Sequence, residues 1–165
     1  MWVHLREAAV KVIIMRHGDA VFSGGDRVLS ERGVQEAKIT GMKLVSSLQI
    51  TRIFSSPKQR AMATAAQVKD LLRGRSIPEI EIIPELSPTG NTDMAVEYVM
   101  ASCSNDDTVL LVSHIPQVVN LSIAFAGYGF NVPSFYTAAA LVLQQDESGK
   151  FVPQDFYTPS KENSF

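Results

Sequence analysis

Histidine and arginine residues follow the apolar segments of this sequence at positions where they could form one site. Arg16 and His17 come directly after the apolar run VKVIIM, and His114 comes directly after TVLLVS. Arg60 lies four residues beyond the segment RIFSS. A guanidinium binds phosphate or carboxylate oxygens with two parallel hydrogen bonds, and a neutral imidazole can act as a nucleophile through a ring nitrogen. These residue types predict a phosphate pocket that contains a histidine.

The elements that must position these residues alternate between strand and helix. Short segments rich in apolar and β-branched residues predict strands over 10–15, 52–56, 79–83 and 108–113, and a closing hairpin over 138–145 and 150–156. Apolar residues at helical spacing predict helices over 31–48, 57–73, 92–102 and 116–126. This alternation indicates an α/β fold, a three-layer α/β/α sandwich with a mostly parallel central sheet and an antiparallel edge.

Serine residues mark two of the predicted helix starts. Ser30 precedes the first helix as an N-cap. Ser56 and Pro57 suit the cap and the first helical position of the second helix. Ser55 and Ser56 could also be taken for serine nucleophiles, but helix capping explains them more simply.

The ends of the predicted strands should bring the candidate residues together. In open α/β sheets, ligands bind beyond the carboxyl ends of the strands, where both histidines and both arginines are placed. Arg27, in the polar loop after the first strand, lies within reach of the same edge. Gly18 lets the backbone bend behind the imidazole and leaves space for a ligand. Helix N-termini after Ser56 and after His114 would favour an anion there.

Two other interpretations of His17 and His114 stay open at this point. Each could be a structural hydrogen-bonding residue at a strand end, and the pair could bind a metal. The metal interpretation lacks an HxH, HxxxH or CxxC spacing, and neighbouring arginines would repel a cation. The sequence also lacks a P-loop, a dinucleotide-binding fingerprint and a GxSxG elbow.

Length and composition indicate one globular domain over 1–165, with an N-terminal extension over 1–10 and a flexible tail over 158–165. The formal net charge of −2 gives no general attraction to nucleic acids or anionic membranes. No apolar run reaches transmembrane length, and no segment has the pattern of a signal peptide. Because the single cysteine, Cys103, cannot form an intrachain disulfide, we expect a reducing, cytoplasmic location.

Three segments together resemble the signatures of the histidine phosphatase (phosphoglycerate-mutase-like) superfamily. They are RHG after the first strand, SSPKQRAMATA after the second, and LLVSHIP around the second histidine. Their order and spacing match over nearly the whole chain. With MRHGDA, PELSPTG and SHIPQV, and with no inserted cap domain, the chain is most similar to the short SixA-type phosphohistidine phosphatases.

The resemblance implies a role for each matching residue. His17 would attack phosphorus in line and carry the phosphoryl group, which water would then remove. Arg16, Arg60 and a protonated His114 would stabilise the phosphoryl oxygens. Arg27 would be an additional arginine of the phosphate pocket. No metal or other cofactor is implied, because the arginines supply the positive charge.

A general acid is the one feature without a clear match. Many relatives that cleave phosphate esters place a carboxylate after the third strand or directly after the second histidine, and here Ile115 follows His114. The remaining candidates are Glu85, in PELSPTGN, and Asp19, beside the nucleophile; either could equally be a rim carboxylate. An ester needs an acid for its alkoxide, whereas the imidazole of phosphohistidine, with a pKa of about 6.5, can be protonated by solvent. The lack of a well-matched general acid therefore favours cleavage of P–N bonds over P–O bonds.

The preferred hypothesis is a metal-independent phosphatase that acts on phosphohistidine in a signalling or phosphotransfer protein, such as a histidine phosphotransfer domain. One alternative is a phosphatase for a small phosphorylated metabolite. Another is a non-catalytic module that binds phosphate or phosphohistidine. An intact set of Arg16, His17, Arg60 and His114 argues against the last, because a decaying enzyme usually loses its nucleophile first.

Overall fold

The computed structural model describes residues 9–160. Most of the predicted N-terminal extension (1–8) and of the predicted tail (161–165) lies outside the described residues. Thr158 and Ser160 belong to the predicted tail, and their carbonyl oxygens accept hydrogen bonds from Nζ of Lys43 at 2.8 and 2.6 Å. The chain is therefore held in place as far as Ser160.

A six-stranded sheet with helices on both faces forms the body of the protein, as the sequence predicts. The strands are β1 (Lys11–Arg16), β2 (Ala20–Ser23), β3 (Asp26–Leu29), β4 (Arg52–Ser55), β5 (Ile80–Ile82), β6 (Thr108–Ser113), β7 (Ala140–Gln145) and β8 (Phe151–Tyr157). The helices are α1 (Glu31–Val45), α2 (Gln59–Lys69), α3 (Thr92–Ser102) and α4 (Gln117–Ala126), with a 3₁₀ turn over Pro84–Leu86. None of these helices is long and apolar enough to cross a membrane.

The sheet has the strand order β5-β4-β6-β1-β7-β8. Its first four strands are parallel, and the hairpin of β7 and β8 forms the antiparallel edge. β1 and β6 are parallel neighbours, with Arg16 opposite Ser113. The backbone N–H of His17 donates to the carbonyl oxygen of Ser113 at 3.0 Å. The segments that follow β1 and β6 therefore start side by side.

Alternation along β1 shows how the sheet buries both of its faces. Val12 and Ile14 pack in one apolar cluster with α3 and α4, whereas Ile13 and Met15 pack in a second cluster with α1 and α2. All four side chains are fully buried. Because successive side chains point to opposite faces, a strand covered on both sides needs a continuous apolar run. This explains the segment VKVIIM.

The two helices nearest the site begin differently. Ser30 caps α1 as predicted, since its Oγ accepts the N–H of Gly33 at 3.0 Å. The prediction of Ser56 as the cap of α2 is wrong, because α2 begins after Lys58. Oγ of Ser56 accepts the N–H of Lys58 at 3.1 Å, ahead of the helix. Both helices also end earlier than the apolar pattern predicts.

The loop predicted after β1 is wrong in part, because it contains the antiparallel hairpin of β2 and β3. Gly24 and Gly25 form its turn with φ angles of 62° and 86°, a left-handed conformation that glycine adopts at little steric cost. The N–H of Leu29 donates to Oε1 of Gln59 at 3.2 Å, which ties the hairpin to α2. Each strand has four residues and is largely exposed, so its apolar pattern is too short to recognise.

A substitution at Gly33 can test how closely α1 packs against the segment after β1. A Cβ at Gly33 would lie 2.1 Å from the carbonyl oxygen of Asp19 and 2.9 Å from its nitrogen. Because these are backbone atoms, we expect Gly33→Ala to lower the free energy of unfolding by about 1–3 kcal/mol. Gly129→Ala is the control, since no atom lies within 4 Å of the added Cβ. Urea denaturation of both variants measures the difference, and an unchanged midpoint for Gly33→Ala would contradict the close packing.

Candidate active site

His17 directly follows β1 and is buried, with 3% of its surface exposed. Its Nδ1 lies 2.7 Å from the carbonyl oxygen of Gly18. A carbonyl oxygen only accepts hydrogen bonds, so Nδ1 carries the proton of the neutral ring and Nε2 carries the lone pair. The imidazole is thereby held in the tautomer that a nucleophile requires.

Thr64 ties the segment behind His17 to α2. Its Oγ1 accepts the N–H of Gly18 at 3.0 Å and its hydroxyl donates to the carbonyl oxygen of Arg60 at 2.8 Å. A Cβ on Gly18 would lie 2.6 Å from the carbonyl oxygen of Gly33, so the close approach requires glycine. The sequence analysis did not identify Thr64. The available signal is its position one helical turn after Arg60, on the same face of α2.

His114 lies beside His17, with the ring centroids 5.0 Å apart in an edge-to-face arrangement. Its Nε2 is 2.7 Å from Oγ of Ser56, which also accepts the N–H of Lys58. When the Ser56 hydroxyl donates to Nε2, the proton of the neutral ring is on Nδ1. That Nδ1 is buried and has no hydrogen-bond partner among the described residues. Ser56 therefore orients His114, a role that the sequence analysis missed.

Arg16 and Arg60 both act electrostatically on His17, and each has a buried, unpartnered nitrogen. Arg16 donates from Nη1 to the carbonyl oxygen of Phe135 at 3.0 Å. Nε of Arg16 and Nε of Arg60 are buried and have no partner in the part of the chain that the structure describes. A buried donor without an acceptor costs about 1–3 kcal/mol. A bound tetrahedral anion would supply the missing acceptors.

Two exposed cations stand at the mouth of the pocket. The charge of Arg27, on β3, lowers the pKa of both arginines and of both histidines, so the structure brings this predicted residue to the site. The charge of Lys58 also lowers the pKa of His114. The sequence analysis did not identify Lys58, although it precedes Arg60 by only two residues.

Burial and the surrounding positive charge keep both histidines neutral. Burial is the largest cause that lowers the pKa of His17 to about 4; the bond to Gly18 opposes it, and three arginines add to it. Burial, then the neighbouring His17 and the cations, lower the pKa of His114 to about 3. The protonated His114 that the sequence analysis expects during the reaction is therefore not the resting state of the unliganded protein.

Asp19 and Glu85, the two carboxylates considered as general acids, interact with residues other than the two histidines. Oδ2 of Asp19 accepts the hydroxyl of Ser30 at 2.7 Å, at the start of α1. Glu85 is half-buried on the 3₁₀ turn after β5, and its charge contributes to raising the pKa of Tyr98, on α3. The largest influences on the pKa of both histidines include no carboxylate.

Glu36, on α1, joins two segments that border the pocket. Its Oε1 accepts the N–H of Asp19 at 2.8 Å, and its Oε2 accepts the hydroxyl of Thr137 at 3.0 Å. Its charge also raises the pKa of Arg16, against the larger effect of burial. Glu36 is therefore a positioning residue for the arginine side of the pocket, and nothing local in the sequence indicates this.

The described residues contain no group of three or more histidine, cysteine, aspartate or glutamate side chains that could hold a metal ion. Cys103 is half-buried, and burial raises the pKa of its thiol to about 11. This thiol is protonated at neutral pH and therefore a poor nucleophile. The side chains that the structure brings together around His17 are histidine, arginine and lysine.

Comparison with known proteins matches this chain to one family. Residues 12–89 match the family model of the Histidine phosphatase superfamily (branch 1). The phosphohistidine phosphatase SixA of Escherichia coli (strain K12) is 33% identical over 145 residues, which cover 85% of this chain and 88% of that protein.

Solved structures show the same fold. The protein histidine phosphatase SixA complexed with tungstate superposes with a TM-score of 0.77 at 32% identity, covering 90% of this chain and 97% of that one. A phosphoserine phosphatase of Entamoeba histolytica in complex with 3-phosphoglyceric acid superposes with a TM-score of 0.63 at 17% identity, covering 94% and 98%. The second likeness concerns the fold alone.

The two buried histidines should make the protein less stable in acid. In the unfolded chain each has a pKa of about 6.5, whereas the folded values are about 4 and about 3. The unfolded state therefore binds more protons below about pH 6.5, and stability that is complete above this pH falls as the pH drops toward 4. We expect each histidine to lower the free energy of unfolding by about 1–2 kcal/mol when the pH falls from about 7 to about 5.

Urea denaturation at the two pH values measures this loss. We expect His114→Gln, which keeps a polar group near Ser56, to lose about half as much stability as the parent over the same interval. Parallel pH dependence in the two proteins would contradict the neutral, buried state of His114.

Proposed function

The chain belongs to the histidine phosphatase superfamily, and from this membership we propose that it hydrolyses phosphohistidine in proteins through a phosphorylated intermediate on His17. A relative with 33% identity over most of both chains is a phosphohistidine phosphatase. In this proposal Arg16, Arg60 and His114 bind the phosphoryl oxygens, and Arg27 adds positive charge at the mouth.

One observation carries the proposal. Three buried nitrogens, Nε of Arg16, Nε of Arg60 and Nδ1 of His114, lack partners in the described chain, and Nδ1 is a donor when Ser56 donates to Nε2 of the same ring. Both arginines act electrostatically on His17, whose Nε2 holds a lone pair, and the ring of His114 lies 5.0 Å from that of His17. This is the arrangement that a tetrahedral oxyanion in contact with a nucleophile requires. Tungstate, held by a related protein, is an oxyanion of the same shape as phosphate.

In the first step, Nε2 of His17 forms a bond to phosphorus while the P–N bond of the substrate breaks. The departing imidazole nitrogen takes a proton from solvent. The N–H groups of Arg16, Arg60 and His114 stabilise the charge on the equatorial oxygens. The carbonyl oxygen of Gly18 keeps the proton on Nδ1, and it stabilises the positive charge that the phosphorylated ring acquires.

In the second step, water attacks phosphorus from the side opposite His17. The bond between phosphorus and Nε2 breaks, and the electron pair returns to the ring. The proton of the attacking water leaves with phosphate or to solvent. The imidazole is then neutral again, with its proton still on Nδ1, so the cycle closes without net proton transfer to the protein.

The proposal includes no metal. Two arginines in the pocket, with Arg27 and Lys58 at its mouth, provide the positive charge that a divalent cation provides in other phosphoryl-transfer sites. A cation bound among these groups would be repelled by all four.

Phosphate release by the purified protein, in the presence of EDTA, tests the proposal. We expect fast release from a protein that carries phosphohistidine. Release from phosphoserine should be slower by about a hundredfold or more, because an ester needs a general acid. His17→Ala should release phosphate from neither substrate. A phosphate label that resists alkali, is lost in acid and is absent from His17→Ala would identify the intermediate.

The contrary results point to different functions. Fast ester hydrolysis would make the protein a phosphatase for small phosphate esters, with Glu85 as the carboxylate to test. Phosphohistidine that binds without turnover would indicate a binding module. Loss of activity in EDTA would contradict metal independence.

Arg60→Ala tests the charge inside the pocket. Because Arg60 is buried and its Nε faces no other acceptor, its loss should lower kcat/KM by about 10²–10³, the effect of removing an oxyanion-hole donor. Arg73→Ala is the matched control, since this exposed arginine lies beyond the other end of α2. Equal kinetics in the two variants would show that Arg60 does not bind the phosphoryl group.

A further inference from the structure

The hairpin of β2 and β3 borders the mouth of the pocket and is fixed at its base. The N–H of Ser30 donates to the carbonyl oxygen of Asp19 at 2.9 Å, and the N–H of Leu29 donates to Gln59 on α2. The turn at Gly24 and Gly25 lies at the other end. The body of the hairpin therefore stands between the nucleophile segment and the N-terminus of α2.

One face of this hairpin is turned toward the pocket. Partners across an antiparallel pair share a face, as do alternate residues of a strand. The register pairs Ala20 with Leu29 and Phe22 with Arg27, so these four side chains share one face. Leu29 lies against the nucleophile segment, since a Cβ on Gly18 would be 3.0 Å from its Cδ1. The charge of Arg27 acts on both histidines of the pocket.

Phe22 is 80% exposed on this face. Ile115, directly after His114, is 43% exposed. The mouth of the pocket thus combines two apolar side chains with two cations, Arg27 and Lys58. A single exposed apolar residue needs no explanation, but an aromatic side chain beside a phosphate pocket and two cations has the composition of a protein-binding surface.

We propose that this mouth surface, defined as Phe22, Arg27, Lys58 and Ile115, docks a folded phosphoprotein. Its partner carries the phosphohistidine next to an apolar side chain, which contacts Phe22, and has no basic residue facing Arg27 and Lys58. The inference rests on the proposed function and adds to it the surface that selects a protein substrate.

The charges at the mouth favour a folded phosphoprotein as the binding partner. Arg27 and Lys58 would repel a basic partner and attract one whose phosphohistidine lies in an acidic or neutral surface. A small phosphorylated compound would fill only the pocket between the two histidines, Arg16 and Arg60. It would not extend to Phe22, so this side chain should distinguish the two classes of substrate.

Phe22→Ala tests the inference with two P–N substrates. One is an isolated histidine phosphotransfer domain phosphorylated with phosphoramidate, and the other is phosphoramidate itself. We expect kcat/KM for the phosphoprotein to fall about ten-fold, through KM and not kcat. Phosphoramidate hydrolysis should change by less than about twofold. Phe22→Leu, which keeps an apolar side chain, should recover most of the loss.

Tyr128→Ala is the matched control. Tyr128 is 99% exposed and follows α4, whose ten residues carry the chain about 15 Å away from His114. This variant should match the parent on both substrates. Unchanged phosphoprotein kinetics in Phe22→Ala, or an equal loss on both substrates, would overturn the docking surface while leaving the proposed function intact. Absence of phosphoprotein hydrolysis by the parent protein would overturn both.

Discussion

The hydrogen bond from Nδ1 of His17 to the carbonyl oxygen of Gly18 is the interaction on which the rest of the site depends. It places the ring proton on one nitrogen and leaves the lone pair on the other. The bond needs a backbone that stays close to α1, and a Cβ on either Gly18 or Gly33 would collide with the opposite segment. The tautomer of one imidazole therefore depends on the packing of two glycines.

Uncompensated positive charge is the second constraint on this fold. Arg16 and Arg60 lose hydration on burial, and the carboxylates that oppose the resulting pKa shifts, Glu36 and Asp26, have the smaller effect. Such a pocket weakens the folded state, and the two apolar clusters on the faces of the sheet must offset the loss. An anion that satisfies the unpartnered donors binds only the folded chain, so its binding offsets this loss and stabilises the folded state.

The α/β architecture with its antiparallel edge, and the proximity of Arg16, His17, Arg60 and His114, could be predicted from the sequence because they depend on local patterns. Apolar runs define buried strands, and the rule for parallel sheets then places Arg16, His17 and His114 at one edge. The supporting contacts could not be predicted, because they join segments far apart in the chain. Ser56 and His114 are separated by 58 positions, and Gly18 and Thr64 by 46. Ser56 also satisfied a capping pattern, which gave a simpler but incorrect explanation of its presence.

The same electrostatics are the reason that we expect this pocket to cleave P–N bonds faster than P–O bonds. The cations that bind the phosphoryl oxygens also lower the pKa of His17 to about 4 and of His114 to about 3. At neutral pH neither ring in the unliganded site carries a proton that it can readily give to a leaving group, and the carboxylate of Asp19 accepts a hydrogen bond from Ser30. An alkoxide would leave such a site slowly, because it needs a donor. An imidazole, with a pKa of about 6.5, is basic enough to take its proton from water. We therefore expect strong phosphate binding and weak acid catalysis to follow from one charge distribution.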